Sequence, residues 1–401
     1  MLVGIIGKPN TGKSTFFNAA TLLNVPMASY PFTTISPNFG VAYLRAKCIH
    51  TALGVKDSPV NSLCVNGWRL IPVKLVDVAG LVPGASEGRG LGNKFLDDLR
   101  QADALIHVVD ASGSTDEEGR ICPPGSRDPL QDVEFVEKEV DMWLKQIVSR
   151  DFARMARSSE SGTGKLSAML GERLSGLAIN ESQIIEAMQE AGVKADKPTF
   201  WTDEDLLAFC KELRLLSKPT LLAANKADLA TSRANIERLR QSGRLVIPCA
   251  SEAELLLRRA STKGLVEYTP GDPDFRVAPK DGLSPSQLSA LELVRERVLK
   301  SWESTGVQQA INSAYMQLLG AVVVYPVEDE HKLSDKKGNI LPDAYVMKRH
   351  STARDLAYTI HSDLGDSFLY AIDSRKGTRL GADYPLKDSD VIKIVSTAKR
   401  G

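Results

Sequence analysis

The sequence predicts an α/β fold: a doubly wound, mainly parallel sheet with a helical insertion and a small C-terminal domain. The sheet is indicated by short apolar runs that recur along the chain, each ending in small or polar residues, with helical patterns between them. A loop at residues 112–128 followed by a helical pattern that begins at Leu130 predicts the insertion, residues 112–217. A return to short strands after residue 321 predicts the last domain.

The first element is the apolar strand Leu2–Ile6, and a phosphate-binding pattern G-x-x-x-x-G-K-S follows it directly. Its two glycines allow the tight turn that points backbone N–H groups at phosphate oxygens, and the next helix adds its positive dipole end. This setting predicts a P-loop NTPase, in which Lys13 neutralises the β- and γ-phosphates and Ser14 binds Mg²⁺. The predicted phosphate-binding residues are Gly7, Pro9, Asn10, Thr11, Gly12, Lys13, Ser14 and Thr15.

The next buried strand, residues 71–76, ends in an aspartate that is followed three residues later by a glycine. At the carboxyl end of a strand, Asp77 can hold a water on Mg²⁺, and the N–H of Gly80 can sense the γ-phosphate. We therefore predict Asp77 as a metal and nucleotide residue and Gly80, with Lys13, as a catalytic one.

Two further apolar strands are predicted at residues 104–109 and 219–224, and the second runs into the tetrad Asn225-Lys226-Ala227-Asp228. Guanine presents two adjacent N–H donors that the Asp228 carboxylate can accept, whereas adenine would leave a desolvated carboxylate unpaired. Asn225 can bond the base or tie loops together, and the aliphatic stem of Lys226 can lie on the base.

A strand at residues 245–247 completes the series, and the turn after it is expected to contribute a backbone N–H to guanine O6. Ala250 and Ser251 are the predicted contacts. All these motifs follow strand ends, where ligands of doubly wound sheets bind.

The overall composition does not point to a nucleic-acid or membrane partner. Lys plus Arg and Asp plus Glu each number 50, so no overall charge favours nucleic acid or a membrane. The first strand begins at residue 2, no apolar run reaches the length of a membrane span, and the five cysteines are scattered. We expect a cytoplasmic protein without membrane contact.

Cys48, His50 and Cys64 supply three metal ligands but no C-x-x-C spacing and no clear fourth ligand, which favours ordinary thiols.

These motifs, with residues 30–34 (YPFTT) and the run from Val76 to Ala85 that continues through residues 88–96, resemble the YchF-type family of Obg-like proteins. The resemblance covers nearly the whole chain. Because the guanine tetrad is intact, the chain is similar to the GTP-reading branch, found in archaea and fungi, rather than to the members that prefer ATP. The resemblance implies that Thr34 joins Mg²⁺ and the γ-phosphate, as a metal and catalytic residue.

The resemblance also implies four segments: a nucleotide domain in two parts (residues 1–111 and 218–320), a coiled-coil-like helical insertion (112–217) and a β-grasp TGS domain (321–401). Within the last, strands are predicted at residues 322–325, Tyr345–Met347, 368–372 and 391–395, and a helix is predicted from a capping box at Thr352 to Gly365. Basic residues at 348–350, 375–379 and 399–400 are candidate RNA contacts, although solvated loop charges explain them equally well.

The expected function is Mg²⁺-dependent GTP hydrolysis in a ribosome-associated switch. The alternatives are an ATPase of the same family, or a nucleotide-dependent ribosome- or RNA-binding module with negligible hydrolysis. The residue after Gly80 is Leu81, which cannot orient water, so intrinsic hydrolysis is expected to be slow. Asn10 occupies the position at which similar GTPases hold K⁺; alternatively, it only bonds its own loop backbone.

Overall fold

The computed structural model describes residues 1–21, 38–78, 80, 98–278 and 283–397. It contains the predicted α/β architecture, with a seven-stranded sheet of order β2-β4-β1-β5-β6-β7 and β3 paired to β4. The strands of this sheet are β1 (Leu2–Ile6), β2 (Phe39–Lys47), β3 (Leu63–Val65), β4 (Trp68–Asp77), β5 (Ala104–Asp110), β6 (Thr220–Asn225) and β7 (Val246–Pro248).

The central strands pair in parallel, β1 with β5, β5 with β6 and β6 with β7. Every residue of β5 is buried, as a strand covered on both faces requires. In the β5–β6 register, Asp110 lies opposite Asn225, so the polar residues at the two strand ends meet at one edge of the sheet. This edge also receives the turn after β1.

The chain divides into two compact units. The first comprises residues 2–19 and 75–310, and the second comprises Met1, residues 20–74 and residues 311–401. Residues 20–74 therefore group with the C-terminal residues, although they precede the insertion in sequence.

The first unit holds the helical insertion. Its longest helices, α3 and α7, pack on each other, and the buried ion pair between Arg214 Nε and Asp141 Oδ1 (2.6 Å) joins them. The apolar stripe of α3 is buried within the chain, as the sequence predicts for an intramolecular seam. The helices that begin in this unit are α1 (Lys13–Thr21), α3 (Pro129–Ser149), α4 (Phe152–Glu160), α5 (Leu166–Leu174), α6 (Glu181–Glu190), α7 (Asp203–Ser217), α8 (Ser232–Gln241), α9 (Ser251–Thr262), α10 (Pro285–Val294), α11 (Lys300–Trp302) and α12 (Val307–Ser313).

Two π-helical segments extend these helices: Arg295–Leu299 joins α10 to α11, and Ala314–Leu318 follows α12. A two-stranded ribbon, β8 (Val266–Glu267) with β9 (Arg276–Val277), precedes α10.

The second unit contains α2 (His50–Leu53) and a five-stranded mixed sheet of order β11-β10-β14-β12-β13. Helix α13 packs its buried face on this sheet, with Leu356 and Ala357 fully buried. The elements are β10 (Val322–Val327), β11 (Tyr345–Met347), α13 (Ala353–Ile360), α14 (Ser362–Asp366), β12 (Phe368–Asp373), β13 (Thr378–Leu380) and β14 (Asp390–Ser396).

One predicted boundary is wrong. The helix that begins at the Thr352 capping box ends at Ile360, and Gly365 lies inside the next short helix. Gly365 is needed for close approach rather than for ending a helix, because a Cβ there would lie 2.2 Å from Cδ1 of Tyr358. Among the described residues, no helix is both long and apolar enough to cross a membrane.

Candidate nucleotide site

The loop between β1 and α1 has a backbone that only glycine fits at two positions. Gly7 has φ +152°, and a Cβ on it would lie 2.5 Å from the carbonyl oxygen of Val108. Gly12 has φ +90°, and a Cβ there would lie 2.2 Å from Nδ2 of Asn225. The two glycine positions of the motif are thus explained by close approach to β5 and to the end of β6.

Lys13 begins α1, and its Nζ forms an ion pair with Oδ1 of Asp77 at 2.5 Å. The pair lies in a partly exposed setting, with 12% of the Lys13 side chain and 23% of the Asp77 side chain accessible. Ser14, the next residue of the helix, is exposed. A carboxylate, a hydroxyl and an ammonium group therefore share the start of α1, and the two oxygen groups have the donor chemistry that Mg²⁺ requires.

Asn225 ties two loops together, which is one of the two roles predicted for it. Its Nδ2 donates to the carbonyl oxygen of Thr11 (2.9 Å). Its Oδ1 accepts from both the backbone N–H (3.0 Å) and the hydroxyl (2.8 Å) of Ser251. The residue is 3% exposed. This single amide links the phosphate-binding loop to the N-terminus of α9.

Lys226 is bonded within the protein, whereas the Asp228 carboxylate has no bond to another described residue. Lys226 has φ +62°, and its Nζ pairs with Asp110 Oδ2 (2.9 Å) and donates to Ser114 Oγ (3.1 Å). These bonds hold its aliphatic stem in place. Asp228 is half-buried, and its carboxylate makes no hydrogen bond or ion pair with another described residue.

Asp110, at the end of β5, was not predicted from the sequence. Burial raises the pKa of its carboxyl, but hydrogen bonds from Ser112 and Lys226 and the charge of Lys226 outweigh burial, so the net pKa is lowered. Its oxygens accept five hydrogen bonds from residues 112, 114 and 115, in addition to Lys226. An acid at the end of a buried strand was the available signal, since the same signal identified Asp77.

The amides predicted to reach guanine O6 are already engaged. The N–H of Ala250 donates to the carbonyl of Thr305 (2.9 Å), and the N–H of Ser251 donates to Asn225. The Thr305 contact depends on Gly306, where a Cβ would lie 1.8 Å from the carbonyl oxygen of Pro248. A bond from either amide to a base would have to replace one of these internal bonds.

Residues 112–120, here called the crossing loop, lie against the phosphate-binding loop. Lys8 is 1% exposed, and its Nζ donates to the carbonyls of Thr115 (3.0 Å) and Asp116 (2.7 Å). It also pairs with Asp132 of α3 at 2.6 Å. A lysine inside a glycine-rich motif gave no sequence signal for this role, which depends on tertiary contacts alone.

The crossing loop also reaches Asn10, whose Nδ2 donates to the carbonyl of Gly119 (2.9 Å). Asn10 has φ +61°, and Gly119 has φ +82° with a hypothetical Cβ 2.6 Å from the carbonyl oxygen of Pro9. The Nδ2 group thus bonds another segment, which neither sequence-based alternative for Asn10 included. The Oδ1 atom is the atom of Asn10 that has the chemistry to ligate a cation.

The remaining predicted residues are placed as follows. Gly80 lies beside the phosphate-binding loop, since a Cβ on it would be 3.6 Å from atoms of Pro9. Thr15 lies in the first turn of α1 and is partly exposed. Thr34 and Leu81 lie outside the described residues.

Three family models match parts of the chain. They are described as "50S ribosome-binding GTPase" (residues 2–145), "Obg-like GTPase YGR210-like, G4 motif-containing domain" (223–329) and "TGS domain" (337–396). The second of these covers the guanine tetrad.

Known proteins resemble the chain over its length. It is 50% identical to an uncharacterized GTP-binding protein of Methanocaldococcus jannaschii over 400 residues, 99% of this chain and 100% of that protein. The crystal structure of a GTP-binding protein from Pyrococcus horikoshii has 42% identity and a TM-score of 0.76, covering 99% of this chain and all of that one. The ribosome-binding ATPase YchF of Haemophilus influenzae is 31% identical over 275 residues, 66% of this chain and 69% of YchF.

Proposed function

Because this chain belongs to the Obg-like family that includes YchF, we propose that it binds GTP at the site described above and hydrolyses it with Mg²⁺. The observation that carries the proposal is the arrangement of Asn225 and Asp228. Three internal bonds fix Asn225, and the Asp228 carboxylate nearby is open to a ligand. A carboxylate in that position can accept the two adjacent N–H groups of guanine.

Choice between GTP and ATP is the point on which the proposal differs from the names of several relatives. Adenine has no pair of donors for Asp228, so binding it would desolvate the carboxylate without compensation. A site built to bond a polar group typically rejects the analogue that lacks it by a large factor. We therefore assign this chain a guanine nucleotide.

The phosphate end of the site supports hydrolysis. Lys13 is available to the β- and γ-phosphates once nucleotide separates it from Asp77, and the backbone between Gly7 and Gly12 offers its N–H groups. Ser14, Asp77 and Thr34 would hold Mg²⁺, which would neutralise charge between the β- and γ-phosphates. Leu81 offers no polar group to the attacking water, so we expect slow intrinsic turnover.

We also propose K⁺ as a second cation beside the phosphate-binding loop. The hydrogen bond from Asn10 Nδ2 to Gly119 fixes the side chain and leaves Oδ1, a hard oxygen ligand, for the ion. A fixed positive charge there would stabilise negative charge that develops during phosphoryl transfer.

The chain is proposed to act as a nucleotide-dependent switch on the ribosome, which would place it in the cytoplasm. Relatives are named ribosome-binding ATPase, and the C-terminal residues match the TGS model. In that domain residues 348–350 (Lys, Arg, His) are exposed and could meet RNA phosphates.

Two measurements test the nucleotide assignment. Equilibrium competition with a fluorescent guanine nucleotide should show GTP displacing it at far lower concentration than ATP. Single-turnover release of phosphate from GTP should require Mg²⁺. Equal affinities for GTP and ATP would overturn the base assignment. Absent phosphate release would leave a nucleotide-binding module, and phosphate release without Mg²⁺ would overturn the metal requirement.

A further inference from the structure

Four potential metal ligands lie close together in the second compact unit. None of them belongs to the nucleotide-binding motifs described above. Cys48 follows β2, His50 begins α2, Asp57 lies in the next loop and Cys64 lies in β3. One ligand atom from each residue lies within 4.8 Å of every other. Asp57 is the fourth ligand that the sequence pattern did not reveal, because it is neither Cys nor His and follows no known spacing.

The separations within this cluster suit a four-coordinate ion. Asp57 Oδ2 lies 3.3 Å from Cys48 Sγ and 3.4 Å from His50 Nδ1. His50 Nδ1 lies 3.5 Å from Cys64 Sγ. Metal–ligand bonds of about 2.0–2.3 Å at tetrahedral angles put ligand atoms about 3.3–3.8 Å apart. Closing the widest separation requires a movement of about 1 Å on the same geometry.

The surroundings hold the ligand atoms in place and leave a way in. Cys48 is 1% exposed, and the Asp57 side chain is 9% exposed. The His50 side chain is 19% exposed, and Cys64 is also partly accessible. An ion can therefore enter from the His50 side and end in a mostly buried shell.

Arg69 supports the shell from behind. It is fully buried, and its NH1 donates to Asp57 Oδ2 at 2.8 Å. Its Nε donates to Ser62 Oγ (2.8 Å), and its NH2 donates to the carbonyls of Leu341 (2.7 Å) and Pro342 (3.1 Å). A ligating carboxylate that is itself hydrogen-bonded is typical of metal centres, where outer partners orient the ligands.

We propose that Cys48, His50, Asp57 and Cys64 form a structural Zn²⁺ site. Two sulfurs, one imidazole nitrogen and one carboxylate oxygen are a donor set suited to Zn²⁺ and unsuited to Mg²⁺, which prefers oxygen. Four protein ligands fill a tetrahedral shell and leave no position for substrate. The site therefore stabilises the fold, through Arg69 and its bonds to residues 341–342, and does not catalyse.

The charges balance with and without the ion. An ordinary thiol is protonated at neutral pH, whereas zinc binds the thiolate. Zn²⁺ replaces the two thiol protons, which leave to solvent as the two thiolates bind. The +2 charge of Zn²⁺ replaces the charge of the two protons, and the Asp57 carboxylate stays paired with the Arg69 guanidinium. Binding of the ion therefore buries no net charge.

The test uses the full-length protein, purified without chelator, and Zn²⁺ or Co²⁺ as the probe. We expect about one Zn²⁺ per chain by elemental analysis, as a closed four-ligand site would hold. Reconstitution of the metal-free protein with Co²⁺ should give the visible absorption of tetrahedral Co²⁺ and a thiolate charge-transfer band. Zn²⁺ should abolish both signals, and its binding should release two protons per chain.

The variants Cys64→Ser and His50→Ala should each lower Zn²⁺ affinity at least 100-fold. Cys122→Ser is the matched control, because Cys122 is also a partly exposed free thiol and lies outside the cluster. Circular dichroism of each purified variant reports whether it is folded. Chelation should lower the melting temperature of the wild type and of Cys122→Ser but leave that of Cys64→Ser unchanged.

Three results would overturn the proposal: metal-free protein whose thiols are intact and which binds no Zn²⁺; equal Zn²⁺ affinity in Cys64→Ser and in Cys122→Ser; or a Cys48–Cys64 disulfide in the protein as purified under reducing conditions. Because none of these readouts involves nucleotide turnover, failure here is separate from failure of the GTPase proposal.

Discussion

In the proposed site, base selectivity is expected to depend on Asp228, because Asn225 uses both its amide atoms inside the protein. Replacing Asp228 with Asn leaves one acceptor oxygen for the two guanine donors and turns the other atom into a donor, which can donate to the C2 oxygen of xanthine. We expect Asp228→Asn to weaken GTP at least 100-fold and to bind XTP more tightly than GTP. Competition titrations with GTP, XTP and ATP measure this.

The matched control for that experiment is Asp205→Asn, a carboxylate in the first turn of α7 that bonds only its own capping residue among the described residues. It should leave the order of the three affinities unchanged. A variant at residue 228 that kept the wild-type preference for GTP would show that the base is read elsewhere.

Asn10 donates from Nδ2 to Gly119, and the proposed cation would bind its Oδ1. If K⁺ binds there, GTP hydrolysis should be faster in K⁺ than in Na⁺ at matched ionic strength. Asn10→Ala should remove that difference with little loss of GTP affinity. Single-turnover phosphate release in the two salts is the measurement; equal wild-type rates in K⁺ and Na⁺ would count against the ion.

At the scale of elements, the crossing loop is the feature that links the insertion to the phosphate-binding loop. Gly119→Ala forces a side chain into φ +82° and within 2.6 Å of the carbonyl oxygen of Pro9. Gly162→Ala is the matched control, since its φ is +79° and nothing lies within 4 Å of its Cβ position.

Both substitutions carry the backbone strain of about 1 kcal/mol that a left-handed conformation imposes on alanine. Only Gly119→Ala should also displace Pro9, so we expect a larger loss of unfolding free energy and a GTP affinity lowered about tenfold, or about 1.4 kcal/mol. Denaturant unfolding and nucleotide titration measure the two effects. Equal losses in the two variants, with GTP affinity unchanged, would remove the crossing loop from nucleotide binding.

The elements that the sequence predicted are those whose apolar runs and caps are local. The strand ends at Asp77 and Asn225 followed from buried runs, and the capping box at Thr352 begins α13 as expected. Strand β2 (Phe39–Lys47) was missed because its apolar residues do not alternate, and β3 because it has three residues.

The parts of the site that sequence could not predict depend on segments distant in the chain. Lys8 contacts residues more than a hundred positions away, and nothing in the motif distinguishes this lysine from an exposed one. Asp57 joins Cys48 and Cys64 only because the turn between β2 and β3 brings the three together. Tertiary placement, rather than residue type, decides both.

For the whole molecule, equal numbers of acidic and basic residues mean that RNA contact must come from a local patch. Several basic residues of the C-terminal sheet are already paired: Arg375 with Asp390 (3.2 Å) and Lys376 with Asp373 (3.7 Å). Arg379 lies over the ring of Tyr370, 3.5 Å from its centroid. Residues 348–350 are exposed and stay the candidate contact, while residues 399–400 lie outside the described part of the chain.

Charge reversal tests this patch better than truncation. Deleting residues 322–401 would remove the carbonyls of Leu341 and Pro342, and would leave the buried NH2 group of Arg69 without these two acceptors. The double variant Lys348→Glu/Arg349→Glu changes only exposed positions. Lys336→Glu/Lys337→Glu makes the same charge change on another exposed loop of the same domain and serves as the control.

We expect the GTP-bound protein to co-sediment with ribosomal particles more than the GDP-bound protein does. The 348/349 double variant should weaken this association and reduce its dependence on salt. A protein that makes fewer contacts to RNA phosphates releases fewer counterions when it binds. The 336/337 variant should retain both the association and its salt slope. If both variants bound ribosomal particles like the wild type, with the same salt slope, the patch at 348–350 would not be the contact. Equal co-sedimentation of the GTP-bound and GDP-bound proteins would show that association with the ribosome does not depend on the bound nucleotide.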